Sequence, residues 1–391
     1  MSSENPPPSG RPVSDGPARY ASGANLPLLR GHNAAVLLEL LRAAGEGGVS
    51  RLELAERSGL TPQAVSKITA RLREDGLAAE AGRRASTGGK PRTVLRLVPG
   101  ARHAIGLHLD RDESVTVLAD LAGEPVAVRR APLDLGAGAP EVLAAAAAQV
   151  AEVRAAAPEA QVIGAGVACP GPLDHRTGVL HRVTGLPQWD GYPLRAALAE
   201  QLGLPVVLDK DTNAAAHGLA QHARGAGSFG YLHLGTGLGA GLVLGGAVHR
   251  GARTGAGEFG HQVVQLDGPP CGCGKRGCIE ALCLAAVAAG DPAEAARVLG
   301  VGAANLVELL DVDRVLLGGR TVLGDPDTYV RGVAASLDGQ LRARGSGGAR
   351  SVPVMAAPGG PDAVALGAAH LVLASLFGAP QGPFAGPPPV I

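Results

Sequence analysis

One stretch, residues 232–280, holds most of the side chains able to do chemistry. It contains LGTGLGAG (Leu234 to Gly241), GAGEFGH (Gly255 to His261) and CGCGKRGCIE (Cys271 to Glu280). His261 precedes Cys271 by ten positions, and Cys271-x-Cys273-x4-Cys278 follows. One imidazole and three thiols form the closed four-ligand set of a structural zinc site. No coordination position is left open, so the metal is not expected to activate water. Cys169 and Cys283 fall outside the spacing and read as small core residues. An odd set of five cysteines crowded into one segment fits metal ligation in a reducing cytoplasm better than a disulfide framework. The glycine loop at 235–241 reads as a phosphate-type turn after a strand, and Glu258 and Glu280 add carboxylates beside it.

A second chemistry lies at residues 33–98. Asn33 to Ala43 reads as a helix with Val36, Leu37, Leu40 and Leu41 on one face. Ser50 and Glu53 form a capping box opening a second helix that ends near Ser58, and Gly59 makes the turn. Thr61 caps a third helix, Pro62 suits its first position, and Gly76 follows its end. On that helix Val65, Ile68 and Leu72 face the core. Gln63, Ser66, Lys67 and Arg71 then point outward, as a recognition helix needs for a major groove. The segment after it reads as a two-stranded wing with basic residues Arg83, Arg84, Lys90 and Arg92, suited to phosphates. A solvated protein–protein module would share the helical periodicity. The caps, the glycine turn and the basic wing favour a winged helix-turn-helix.

The elements around these motifs follow from the rest of the chain. Its 391 residues allow two or three domains. The 35 basic and 35 acidic residues cancel, which argues against a nucleic-acid coat but permits a locally basic module. Aromatic residues are 2 % of the chain, so Leu, Val, Ala and Ile must build the core. Residues 1–29, rich in Pro, Ser and Gly, are expected to be disordered. The N-terminus lacks a signal-peptide pattern, and no apolar run of about eighteen residues suggests a membrane span. From Arg102 onward short apolar runs alternate with Ala-rich stretches: Ala104 to Leu109, Ser114 to Asp120, Gln161 to Ala168, Leu204 to Asp209, Tyr231 to Gly235 and Arg314 to Gly319. That alternation predicts an α/β fold, with glycine turns after the strands at 231 and 314.

The C-x-C-G-x-x-G-C-x-E motif and the glycine-rich signature resemble those of the ROK family (repressors, open reading frames and sugar kinases). The resemblance runs from Asn33 to the C-terminus. It implies a two-lobed, actin-like and ribonuclease H-like α/β domain behind the winged helix-turn-helix of the family's repressor branch. The implied domains are a tail at 1–29, a DNA-binding domain at 30–98 and a sugar-binding domain at 102–391. The first lobe is expected at about 102–222 plus a C-terminal helix, Asp362 to Leu376, and the second at about 223–354. Glu258 and His261 match the family's E-x-G-H sugar contacts. Asp211 matches the aspartate that serves the kinases as general base, and Glu280 matches a further sugar-contacting carboxylate. Carboxylates suit a ring of hydroxyls, and zinc would hold His261 and the Glu280 loop in place.

Three departures from the family pattern bear on function. The D-x-G-G-T-K phosphate loop is here Asp110-Arg111-Asp112-Glu113-Ser114-Val115, with acids for both glycines. Glycine lets backbone N–H groups approach a phosphate, and acids there repel a triphosphate by on the order of several kcal/mol. Useful ATP binding is not expected. Lys210 replaces the usual Asn beside Asp211, and Gly185 replaces the Asn before Leu186-Pro187-Gln188-Trp189. A charged sugar paired with Lys210 would explain the lysine; a Lys210–Asp211 salt bridge, the commoner use of such a residue, or a site that no longer binds sugar would explain it too. Last, the chain between Glu280 and Gly290 is short, as if one or two helices were missing. The implied protein is a cytoplasmic, sugar-responsive regulator, most simply a repressor, binding an operator in double-stranded DNA as a homodimer or dimer of dimers, with a small carbohydrate effector and structural zinc. The alternatives are a sugar kinase with an added DNA-binding domain, and a ligand-blind DNA-binding protein using the lobes as a dimerisation scaffold.

Overall fold

Local capping chemistry sets the first domain. The computed structural model describes residues 26–86, 89–222, 227–343 and 351–377. Helix α1 (Leu26–Ala44) leads through strand β1 (Val49–Ser50) into α2 (Arg51–Ser58). The Ser50 hydroxyl accepts from the Glu53 N–H at 3.3 Å, and the Glu53 carboxylate accepts from the Ser50 N–H at 2.8 Å. Gly59 ends α2 at φ 69°, a left-handed conformation that glycine adopts without strain. Thr61 caps α3 (Pro62–Glu74) by accepting from the Ala64 N–H. Strands β2 (Ala78–Ser86) and β3 (Gly89–Leu97) form the wing, and β1 joins them in the order β1-β3-β2. Helix α1 starts earlier than the periodicity from Asn33 indicates, inside the segment expected to be tail. The rest of that tail, residues 1–25, lies outside the described residues.

The remaining chain builds the same sheet twice. In the first, β4 (His103–Leu109), β5 (Glu113–Asp120) and β6 (Pro125–Pro132) form an antiparallel meander. After α4 (Ala139–Ala155), β7 (Val162–Cys169) pairs parallel to β4. A small hairpin, β8 (Leu173–Asp174) and β9 (Val179–Leu180), and α5 (Leu194–Leu202) precede β10 (Val206–Lys210), parallel to β7. Helix α6 (Asp211–His222) follows at once. In the second, β11 (Phe229–Leu234), β12 (Leu238–Leu244) and β13 (Ala247–Val248) are the meander. Helices α7 (Ile279–Ala288) and α8 (Pro292–Leu310) cross to β14 (Arg314–Gly318), parallel to β11. Helices α9 (Arg320–Gly324) and α10 (Pro326–Ala343) cross to β15 (Val354–Ala356), and α11 (Ala363–Leu373) closes the pattern. The orders β10-β7-β4-β5-β6 and β13-β12-β11-β14-β15 are equivalent, so α6 and α11 are counterparts.

Those two helices pack on each other between the sheets. Their approach needs glycine: a Cβ on Gly367 would lie 2.0 Å from the Ala214 carbonyl oxygen. Helices α4 and α5 cover the outer face of the first sheet; α7, α8 and α10 cover that of the second. Strand β6, β12, β13 and β15 were not read from the sequence. The glycine run from Leu238 on is mostly strand β12, and only 235–237 is a turn. Its glycines serve packing rather than phosphate: a Cβ on Gly241 would stand 2.1 Å from the Thr212 carbonyl oxygen of α6. The short segment after Glu280 completes α7 and runs through 289–291 directly into α8, which packs on it.

The head is not loosely tethered. Leu37, Leu38 and Leu41 of α1 share one continuous apolar core with α6 and α11. At its edge Arg42 donates to the Gln221 side-chain amide oxygen at 3.2 Å and lies 4.9 Å from the centre of the Phe377 ring. Among the described residues no helix is long and apolar enough to cross a membrane.

Candidate functional site

A cleft of about 430 Å³ opens between the lobes where β10, β4 and β11 end. It gathers Lys210, Asp211, Glu258, His261 and Glu280, five residues spread over seventy positions of sequence. Asp211 opens α6 at the end of a parallel strand, and its Oδ1 accepts from the Thr212 N–H at 2.6 Å. Glu258 and His261 flank a single helical turn held close to β12. A Cβ on Gly257, at φ 82°, would lie 1.9 Å from the Ala240 carbonyl oxygen, so only glycine fits there. Glu280 sits in the first turn of α7 and accepts from the Leu238 N–H at 2.8 Å.

Lys210 does not neutralise its neighbour Asp211. Its side chain is 3 % exposed and its Nζ donates to Glu258 Oε1 at 2.9 Å and to the Ala256 carbonyl at 3.0 Å. A buried ammonium needs such a partner. Successive residues at the strand–helix junction diverge, which sends Lys210 toward the second lobe while Asp211 caps α6. Lys210 is therefore already charge-matched within the protein.

Beside the cleft lies a metal-type cluster. One ligand atom each from His261, Cys271, Cys273 and Cys278 falls within 4.8 Å of the others. His261 Nδ1 is 3.7 Å from Cys271 Sγ, and Cys273 Sγ is 3.7 Å from Cys278 Sγ. A tetrahedral zinc with bonds of about 2.3 Å to sulfur sets its ligands about 3.8 Å apart, so the donors fit. Burial, reinforced by the neighbouring thiols, pushes Cys278 up to about 12. Without a cation the thiol stays protonated; a metal ion would hold it as thiolate. The chain turns tightly here because Gly277, at φ 65°, brings its backbone against Gln265, where a Cβ would lie 1.5 Å from the carbonyl oxygen. Cys169 and Cys283 are buried away from the cluster.

The third feature is the β4–β5 turn, where a phosphate loop would lie. The Asp110 N–H donates to the Glu113 carbonyl at 2.9 Å, and the Arg111 N–H donates to Asp110 Oδ1 at 2.7 Å. Two of the turn's amides are thus bonded within it. Two of the turn's three acids reach the second lobe: Asp110 accepts from the Thr236 hydroxyl at 2.9 Å, and Asp112 pairs with Arg320 at 2.7 Å. Burial alone would raise the Asp110 carboxyl. The adjacent His108 imidazole and the hydrogen bonds from the Arg111 N–H and Thr236 outweigh it and hold the group below the usual carboxylate range.

On the head, Gln63, Ser66, Lys67 and Arg71 are all exposed on one face of α3, opposite buried Val65 and Leu72. Arg83 and Arg84 lie on β2, Lys90 and Arg92 on β3, and the register sets Arg84 opposite Arg92. The Arg92 side chain is exposed; those of Arg83, Arg84 and Lys90 lie outside the described residues.

The ROK family profile matches residues 105–290. A ROK hexokinase from Thermus thermophilus is 32 % identical, with 68 % of this chain and 96 % of that one superposed at a TM-score of 0.56. The chain belongs to the ROK family. Residues 36–78 match a winged helix-turn-helix DNA-binding profile. Among regulators, a putative xylose repressor of Caldicellulosiruptor sp. (strain Rt8B.4) is 28 % identical over 71 % of this chain and 81 % of its own length. The DNA-binding transcriptional dual regulator NagC of Escherichia coli (strain K12) is 31 % identical over 68 % of this chain and 66 % of its own. A ROK family transcriptional regulator homologous to E. coli MLC shares the fold over 90 % of this chain, at a TM-score of 0.71 and 22 % identity.

Within this ROK cleft, sequence reading missed Arg111 and Thr184 as lining residues and Thr236 as the partner of Asp110. Their contacts span 73 and 126 positions, and no local pattern announces them.

Proposed function

We propose that this ROK protein is a sugar-responsive, DNA-binding transcriptional regulator that acts as a repressor. The observation that carries the reading is the turn at 110–113. Acids stand there where the family's phosphate loop has glycine, and two of its carboxylates, Asp110 and Asp112, are bonded to the second lobe, which disfavours a nucleotide triphosphate at the turn. What is left is a polar cleft beside a DNA-reading head. Asp211, Glu258 and Glu280 offer acceptors to sugar hydroxyls, His261 with one nitrogen on the metal would offer an N–H donor, and the repressor names among the relatives support the same reading. Gln63 and Ser66 would read base edges, while Lys67, Arg71 and the wing residues Arg83, Arg84, Lys90 and Arg92 would hold phosphates. The metal is zinc, closed and structural, bound by His261, Cys271, Cys273 and Cys278. A two-fold dimer would present two heads to a palindromic operator. Sugar binding would favour one lobe arrangement and so change head spacing.

Genomic footprinting with the purified protein, followed by mobility shifts across a sugar panel, tests this. Operator affinity that changes with at least one sugar is expected, and indifference to every sugar would leave the ligand-blind scaffold as the better account. A second reading, a sugar kinase with Asp211 as general base, draws on the kinase-like cleft and the hexokinase likeness. Coupled measurement of ADP release with the same panel decides between them: ordinary turnover would replace the regulator reading.

A further inference from the structure

Among the described residues, one cationic side chain lining the cleft has no carboxylate partner. Lys210 is paired with Glu258, and three nearby arginines are also paired: Arg320 with Asp112, Arg182 with Asp190, Arg250 with Asp209. Arg111 lines the cleft, yet among the described residues no carboxylate lies within ion-pair distance of its guanidinium. Its one side-chain bond is from Nη2 to the Thr184 carbonyl at 2.8 Å. That bond fixes the plane of the group and leaves the remaining N–H donors for something else. The backbone beneath is rigid: the Arg111 N–H is held by Asp110, and its carbonyl accepts from the Leu135 N–H at 3.0 Å.

The neighbouring glycine makes room for it. A Cβ on Gly185 would meet Arg111 Nη1 at 3.8 Å and nothing else within 4 Å, so the guanidinium lies over a residue with no side chain. Gly185, at φ 77°, and Thr184 form a floor shared by this cleft and an adjoining hollow of about 700 Å³. A planar fork held at one corner and open at the other matches a carboxylate or phosphate in a paired, two-bond geometry. The cleft's other charged groups are different: Asp211, Glu258 and Glu280 are acceptors suited to hydroxyls and hostile to a second negative charge.

We propose that Arg111 is an effector-contacting residue, and that the effector is a sugar bearing a single anionic substituent held by Arg111 above Gly185, its neutral ring hydroxyls facing Asp211, Glu258 and Glu280. This rests on the reading of the cleft as an effector site. It moves the charge-recognition role from Lys210, which is internally paired, to a residue of the former phosphate loop.

The test is calorimetry on the full-length, zinc-loaded protein and on Arg111→Gln and Arg111→Lys, with thermal melts as a folding check. The probes are glucose and N-acetylglucosamine, each against its 6-phosphate, and glucose and galactose, each against its uronate. A phosphate or uronate probe should bind wild type about tenfold or more tightly than its neutral parent. Arg111→Gln should erase that preference while leaving the neutral parent within about threefold, and Arg111→Lys should restore part of it. The uronates and phosphates tell the two anionic groups apart. A neutral parent binding as well as its charged derivative, or a preference surviving in Arg111→Gln, overturns the inference while leaving the regulator reading intact. Failure of the whole panel to bind or to alter operator affinity overturns both.

Discussion

At the scale of single residues, two groups carry predictions with a definite sign. The first is the thiol cluster. Because burial raises Cys278 to about 12, metal binding must expel protons, and affinity must fall as pH falls. Cys278→Ser is expected to lower bound zinc from one equivalent to near none, measured by a colorimetric chelator assay, and to destabilise the fold by several degrees. Zinc retention by that variant would mean the fourth ligand is misassigned. The second is His217 on α6, whose Nε2 is shielded and without a hydrogen-bond partner. Burial, then nearby Arg250, pushes its pKa down to about 4. The unfolded chain takes up that proton near pH 6.5, as about expected for a free imidazole. Between those values the unfolded state binds more protons. Stability is therefore full above pH 6.5 and declines toward pH 4, by at most about 3 kcal/mol. Denaturant melts of wild type and His217→Leu across that range should show a shallower pH dependence in the variant; parallel curves would refute the assignment.

At the scale of elements, α6 links chemistry to the head. Asp211 begins it inside the cleft, and Gln221 near its other end accepts from Arg42 of α1. Gln221→Ala is expected to retain operator and sugar binding but to shrink the change in operator affinity that sugar produces, as a mobility-shift titration with and without ligand would show. An undiminished response would place the coupling elsewhere. The capping box is a simpler element-scale test: Ser50→Ala should cost about 1 kcal/mol in stability through the lost N-cap. What could be read from sequence divides at this scale too. The caps at Ser50 and Thr61, the outward row Gln63, Ser66, Lys67 and Arg71, and the thiol spacing are local signals, and they were legible. The pairing of Lys210 with Glu258, and of Arg111 with Thr184, depends on how distant loops meet. The same is true of β12, whose glycines look like a loop until α6 is packed against them.

At the scale of the molecule, two copies of one sheet topology face each other across α6 and α11, and the lobes are tied across the cleft by Asp110–Thr236 and Asp112–Arg320. The Asp112–Arg320 pair is solvent-exposed on both sides, so its contribution to global stability is expected to be small, about 1 kcal/mol or less. Its larger effect should be on lobe spacing. Small-angle scattering of Arg320→Ala is expected to give a broader distance distribution than wild type; superimposable curves would mean the lobes are held by packing alone.

The closed turn at 110–113 also has a physiological corollary. An actin-like machine ordinarily reports two quantities at once, its small substrate and the supply of high-energy phosphate. If the acids of that turn exclude the second, the proposed regulator would answer to nutrient alone. Its target genes should respond identically in energy-replete and energy-depleted cells that hold the same internal concentration of the effector.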